Sequence, residues 1–187
     1  SALGANTVGS RSTAIGFQAL DVQNPATATN MYNTAVGYSA GLAVTTGVQN
    51  TLLGGLAGDA ITTGDENVTV GYNSLTTNTK SFYNVAVGNS VLAAHNLTSD
   101  AAGYNTGIGH NAGAAVSTGV ENTLIGGLAG DALTDADHNV AVGYAALTTD
   151  TLGSSSTAIG RLTLSEQNFT SATSAFNTAV GAQAGQK

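Results

Sequence analysis

The side chains able to do chemistry are few, and they sit at corners. Two acidic groups, Asp59/Asp65/Glu66 and Asp131/Asp135/Asp137, stand at equivalent places in the chain. Carboxylate oxygens suit hard cations, so a weak Ca²⁺ corner is one reading. The segment Gly54-Gly55-Leu56-Ala57-Gly58-Asp59 departs from the calcium-binding nonapeptide, however, and solvated corner charge is the favoured reading. His95, His110 and His138 have no metal-ligand spacing, which favours a surface reading over a ligand reading. A glycosidase needs two carboxyl groups flanking a sugar groove, and the acids lie at corners of a chain without Trp. No Gly-rich stretch carries the Lys-Ser/Thr of a phosphate loop. The sequons Asn67-Val68-Thr69, Asn96-Leu97-Thr98 and Asn168-Phe169-Thr170 are weak signals, because Asn and Thr are abundant.

What positions these residues is a repeat. The phrase Ser12-Thr13-Ala14-Ile15-Gly16 returns as NTAVG (33–37), NTLLG (50–54), NVTVG (67–71), NVAVG (84–88) and NTGIG (105–109). It continues as NTLIG (122–126), NVAVG (139–143), STAIG (156–160) and NTAVG (177–181). Successive phrase glycines from Gly16 are separated by 21, 17, 17, 17, 21, 17, 17, 17 and 21 residues, a super-repeat of 72. Aligning 37–108 on 109–180 matches about half of the positions, self-similarity of the kind that defines a solenoid.

Within each phrase β-branched residues alternate with small ones, a strand signal. Stacked strands would carry Val and Ile on one face and Ala or Gly on the other. A second, weaker strand such as Ala40–Val44 is expected after the bend, with turns at Thr45-Thr46-Gly47 and Thr62-Thr63-Gly64 closing coils. At about 3.3 Å per residue, seventeen residues suffice for two short strands and two corners, a flattened roll. The expected fold is all-β: a parallel β-roll or β-solenoid of 17- and 21-residue coils, one repetitive segment over residues 1–187. The Asn that opens the phrase is expected to hydrogen-bond along the stack, with no catalytic role.

Charged residues make up 8% of the chain and the net charge is −7. Arg11, Lys80, Arg161 and Lys187 are the only basic residues, too few for phosphate contacts, so nucleic acid is a poor partner. Cysteine is absent, which removes disulfides and thiolate metal sites, and no apolar run reaches membrane-spanning length. The chain starts and stops within repeats, and it is expected to be a piece of a longer protein. No cofactor is expected.

A roll of small residues has little apolar burial to set against about 1–2 kcal/mol of backbone entropy per residue. Three chains packing their Ala/Gly faces around a common axis would supply the missing burial, so a homotrimer is expected. Departures from the phrase are where binding is expected. The 21-residue coils insert Asp21–Tyr32, Ala93–Tyr104 and Ser165–Phe176, each with an Asn (Asn24, Asn96, Asn168) and a terminal aromatic (Tyr32, Tyr104, Phe176). Insertions in solenoids often line the binding face, although the aromatic could simply pin a bulged corner. Phe17, Tyr38, Tyr72 and Tyr144, just after the phrase glycine, are the expected exposed aromatics, suited to stacking on sugars or to corner packing. The Thr residues three before the glycine suggest an ice-binding face, interrupted by Val68, Val85 and Val140.

The pattern [NS]-[TV]-x-[VI]-G-x-x-A resembles the YadA-like head repeats of trimeric autotransporter adhesins and related repeats in phage tail fibres. It does so over nearly the whole chain. The resemblance implies a left-handed parallel β-roll, an obligate trimer and attachment to a host surface glycan or protein. It implies an extracellular setting on a virion or a bacterial outer surface, with no catalysis, no cofactor and no membrane insertion in this segment. The family's head repeat is shorter than the 17 and 21 residues found here, so longer corner loops are expected. A polysaccharide-degrading tailspike and an ice-binding solenoid are the alternatives.

Overall fold

The computed structural model describes residues 1–186. Its spine is one parallel sheet of ten strands stacked in sequence order, from Thr13–Ile15 to Thr178–Val180. Each strand is the three-residue centre of a phrase, and equivalent phrase positions pair: Thr34 with Thr51, Ala35 with Leu52, Val36 with Leu53. Among the described residues there is no helix, and none long and apolar enough to cross a membrane. The molecule is therefore a parallel β-solenoid of about ten coils.

The expected second strand does not form. Residues 38–43 are a run of turns, and their backbone bonds run between coils, as from Gly41 N–H to Ala57 O and from Ala43 N–H to Asp59 O. The cause lies in the backbone. Non-glycine residues adopt positive φ at recurring places in each coil, including Tyr32, Ser39, Leu56 and Leu75, and such angles cannot build a strand. Only the coils with insertions add a short second pairing: Gly9–Ser10 with Thr29–Asn30, Gly153–Ser154 with Thr173–Ser174, and a single bridge from Phe82 to Ala102.

The phrase glycine is where the stack is tightest. Gly54 has φ of 136°, and a Cβ there would stand 2.5 Å from the carbonyl oxygen of Gly71 in the next coil. A side chain at this place would push neighbouring coils apart, so glycine is required by close approach as well as by φ.

The two faces of the sheet are the reverse of the expectation. Counting from the phrase glycine as zero, the −2 residues point inward: Ala35, Leu52, Ala86, Leu124, Ala141 and Ala158 are fully buried. The −1 and −3 residues point outward, and Ile15 (60% exposed), Val70 (37%), Ile108 (38%) and Ile159 (39%) lie on the surface. Small residues therefore make the core, and Val and Ile make the outer face. The reason is the width of the interior. The return path sends the +4 and +7 residues across the coil, so that Leu20, Leu75, Leu92 and Leu147 with Val44, Ile61, Val116 and Leu133 already fill it.

Size is matched across that interior. Where −2 is Ala or Thr, +4 is usually Leu, as in Ala86/Leu92, Ala141/Leu147 and Thr69/Leu75. Where −2 is Leu52, the surrounding +4 residues are glycines: a Cβ on Gly58 would come within 2.9 Å of Leu52 Cδ2, and one on Gly41 would collide with Leu52 Cδ1. Leu124 stands in the same relation to Gly113 and Gly130.

Candidate functional site

An outer face runs the length of the ten-stranded sheet. Its inner columns are the −3 residues (Thr13, Thr34, Thr51, Val68, Val85, Thr106, Thr123, Val140, Thr157, Thr178) and the −1 residues (Ile15, Val36, Leu53, Val70, Val87, Ile108, Ile125, Val142, Ile159, Val180). None is charged. In a sheet spaced at about 4.8 Å per strand, ten strands give a face about 43 Å long. The face mixes the hydroxyls of seven Thr at −3 with the partly or largely exposed Val, Leu and Ile side chains at −1.

The candidate aromatics border this face on two separate edges. On the +1 edge lie Phe17, Tyr38, Tyr72 and Tyr144, each more than half exposed. The rings of Phe17 and Tyr38 stack with centroids 5.8 Å apart. Tyr72 and Tyr144 instead lie over the glycines of the preceding coil, where a Cβ on Gly55 or Gly127 would be 3.5 or 3.6 Å from the ring. Bare backbone beneath the ring makes room for it.

On the −5 edge lie Tyr32, Tyr104 and Phe176, the aromatics that end the insertions. They are exposed rather than tucked beneath the roll, and Phe176 is 73% accessible. Tyr32 receives a hydrogen bond from Arg11 Nη1 at 2.7 Å, and the guanidinium lies over its ring. Tyr104 stacks on Tyr83 at 5.2 Å, and Glu121 pairs with His138 at 3.4 Å further along the same edge. The two aromatic sets are thus separated by the width of the sheet and do not form one site.

The insertion asparagines are used to brace coils. Asn96 Oδ1 accepts from the backbone N–H and the hydroxyl of Thr79, and Asn24 Oδ1 accepts from the same groups of Thr7. Asn168 Oδ1 accepts from the Thr151 hydroxyl. These contacts tie each insertion to the coil before it. Asn67 of the first sequon is fully buried and forms part of the phrase ladder.

That ladder behaves as expected. Asn33, Asn50, Asn67, Asn84, Asn105, Asn122 and Asn139 are buried, and each carbonyl accepts from the next phrase residue's backbone N–H. Their amides reach turn carbonyls, such as Gly64 O and Ser81 O, closing the coil.

The acidic corners are hydrogen-bonded between coils. Asp59 accepts from the Thr76 hydroxyl and Asp131 from Thr148, while Asp65 and Asp137 take the backbone N–H groups of Val48 and Val120. Partial burial raises the Asp65 pKa above the usual carboxylate range; the Val48 N–H opposes this and nearby Asp100 adds to it. Among the described residues, no three His, Asp or Glu side chains gather as metal ligands would.

One histidine corrects the sequence reading. His110 and His138 are exposed, but His95 is completely buried. It occupies +7, a position that is apolar at Val44, Ile61, Val116 and Leu133 and polar elsewhere, and by the 72-residue period it corresponds to Gln23 and Gln167. One coil earlier the same column holds Asn6, Asn78 and Asp150, so a polar pair marks each insertion, both members buried at Asn78/His95 and one at Asn6/Gln23 and Asp150/Gln167. Asn78 bonds both ways with the backbone of Ser81, and Asp150 accepts from Gly153 N–H. Gln167 donates to Asp150 and to Ser156 and accepts from Asn177. His95 Nε2 lies 3.0 Å from Ser81 Oγ, which also receives the Asn84 amide. Nδ1 has no hydrogen-bond partner. Burial lowers the His95 pKa to about 4, against a smaller opposite effect of the Ser117 backbone. The signal in the sequence was the shared 72-residue phase of 23, 95 and 167, which a search for metal-ligand spacing passes over.

The chain matches no family model, no curated protein and no solved structure.

Proposed function

We propose that the chain is a non-catalytic segment of a trimeric surface fibre or adhesin, a shaft or head that attaches a phage tail fibre or a bacterium to a host cell. Its coils of 17 and 21 residues wind left-handed, and three copies pack their outer sheet faces around a common axis. One observation carries this reading: the uncharged Thr/Val/Ile face, whose columns hold no Lys, Arg, Asp or Glu from Thr13 to Val180. Stacked β-branched side chains on one sheet complement a second such sheet, and burying them supplies about 25 cal/mol per Å². The expected assembly places Val and Ile at the axis, where the sequence alone suggested Ala and Gly. Host-surface glycan or protein is the receptor class, met by the exposed corners and insertions.

Light scattering at micromolar concentration tests the assembly, with three times the 18.3 kDa chain mass expected. A single-chain mass removes the proposal. Release of reducing ends from host polysaccharide would replace it with a depolymerising tailspike.

A second reading has an observation of its own. The Thr residues at −3 do face outward, with seven of the ten positions being Thr, as an ice-binding solenoid would require. The interruptions at Val68, Val85 and Val140 break the array. The two readings compete for one surface, because a face buried in a trimer cannot meet ice. Thermal hysteresis by a monomeric chain is the outcome that selects the second.

A further inference from the structure

The trimer proposed above leaves open what lies at its three seams, and the two edge columns answer that. The strands run perpendicular to the stacking direction and all point the same way. Rotation about an axis parallel to the stack therefore brings the C-terminal end of each strand to the N-terminal end of the neighbouring copy's strand at the same level. That is a heterologous contact, which closes into a ring. At each seam the +1 column of one copy meets the −5 column of the next.

Reading those columns level by level gives compatible partners. Phe17 would meet Arg11, Tyr38 would meet Tyr32, and Tyr72 would meet Glu66. Small residues meet larger ones at Gly55 with Gln49 and Ala182 with Phe176, among other levels. Asn89 faces Tyr83, His110 faces Tyr104, and Tyr144 faces His138. Gly127 faces Glu121, and Arg161 faces Ser155. No level opposes two charges of the same sign or two glycines.

The exposed rings also have the right form for it. Tyr38, Tyr72 and Tyr144 project from the +1 edge, and Tyr32, Tyr104 and Phe176 from the −5 edge, all at least 48% exposed in the single chain. Six residue steps at about 3.3 Å make the strip from −5 to +1 roughly 15–20 Å wide. With the length above, that is on the order of 700 Å² per copy, divided between its two neighbours in the ring.

We infer that these edge aromatics are seam residues: the occupant of each aromatic edge is the opposite edge of a second copy of this chain, in same-level register. The glycan-facing surface of the fibre is then left to the insertions. The inference rests on the trimer reading, and the test separates the two.

The chain has no cysteine, so engineered pairs report cleanly. Tyr32→Cys with Tyr38→Cys places thiols beyond the two ends of the strand Thr34–Val36, too far apart to join within a copy, since a disulfide needs Cα atoms within about 7 Å. Mild oxidation of the double variant is expected to give a covalently closed three-chain band on a denaturing gel. Each single variant is expected to stay a one-chain band, because a heterologous seam never sets a residue against itself. Tyr83→Cys with Asn89→Cys gives the same readout at another level and covers a failure of the first pair to fold. The off-level pair Tyr38→Cys with Glu66→Cys is expected not to cross-link.

A trimeric mass with no cross-link in either double variant, or with cross-linking in the singles, overturns the seam and leaves the trimer standing. A two-chain covalent band with a dimeric mass overturns the trimer while keeping the edge pairing. A one-chain mass in solution removes both.

Discussion

The side-chain carbonyl of Asn50 stands 3.0 Å from the backbone nitrogen of Asn67 and 3.2 Å from its amide nitrogen, linking residues 17 apart in sequence. Asn67 in turn donates to Ser81 O and accepts from Asn84. Asn67→Ala would leave several buried groups without partners, each costing about 1–3 kcal/mol. A loss of at least about 3 kcal/mol is expected in urea unfolding, and Thr46→Ala at an exposed corner is expected to change stability by less than about 0.5 kcal/mol.

His95 makes stability depend on pH. An unfolded histidine titrates near 6.5, whereas buried His95 titrates at about 4. Between those values the unfolded chain binds a proton that the folded chain refuses, so stability falls as pH drops from about 6.5 to about 4 and is flat below. The full window corresponds to about 3 kcal/mol. His95→Gln, which copies the residue at 23 and 167, is expected to abolish that slope, as followed by the urea midpoint at pH 7, 5.5 and 4.

The exchange of bulk between −2 and +4 makes a paired prediction. Leu52→Ala should cost about 2–5 kcal/mol by opening a cavity. Adding Gly58→Leu is expected to recover less than half of that loss, because a Cβ at 58 also stands 2.8 Å from Ile61 Cδ1, which truncating Leu52 does not move. Leu at this place tolerates the left-handed backbone, since Leu92 has φ of 47° where Gly58 has 55°. The check is thermal or urea unfolding of the single and double variants.

The outer face can be tested by charge. Val70→Lys places an ammonium on a residue 37% exposed in the single chain, so the fold of one copy should survive and its circular dichroism should be unchanged. In the trimer the three ammonium groups would converge near the axis, desolvated and unpaired, which buried charge does not tolerate. Light scattering is expected to show dissociation to single chains.

Much of the architecture was readable because a repeat multiplies each signal. Ten copies of one phrase set the parallel stacking and the register, and identical Asn residues at one phase had no other use than bonding to one another. The insertions were legible as breaks in period. Their asparagines read as surface features, yet Asn96 is occupied by Thr79. Seventeen intervening residues hide that partnership from local pattern.

Sequence by itself determined that the chain is a parallel β-solenoid and which residues make its strands, because periodicity is a property of the sequence alone. Only the tertiary structure decided which face is the core. Alternation separates Ala35 from Thr34 and Val36 but is symmetric between inside and outside. The choice was made by the return path, which crosses the coil with Leu and Val side chains and leaves room for Ala at −2 but not for two β-branched residues. The same path took His95 from the expected surface into the interior, where the neighbouring coil closes over it.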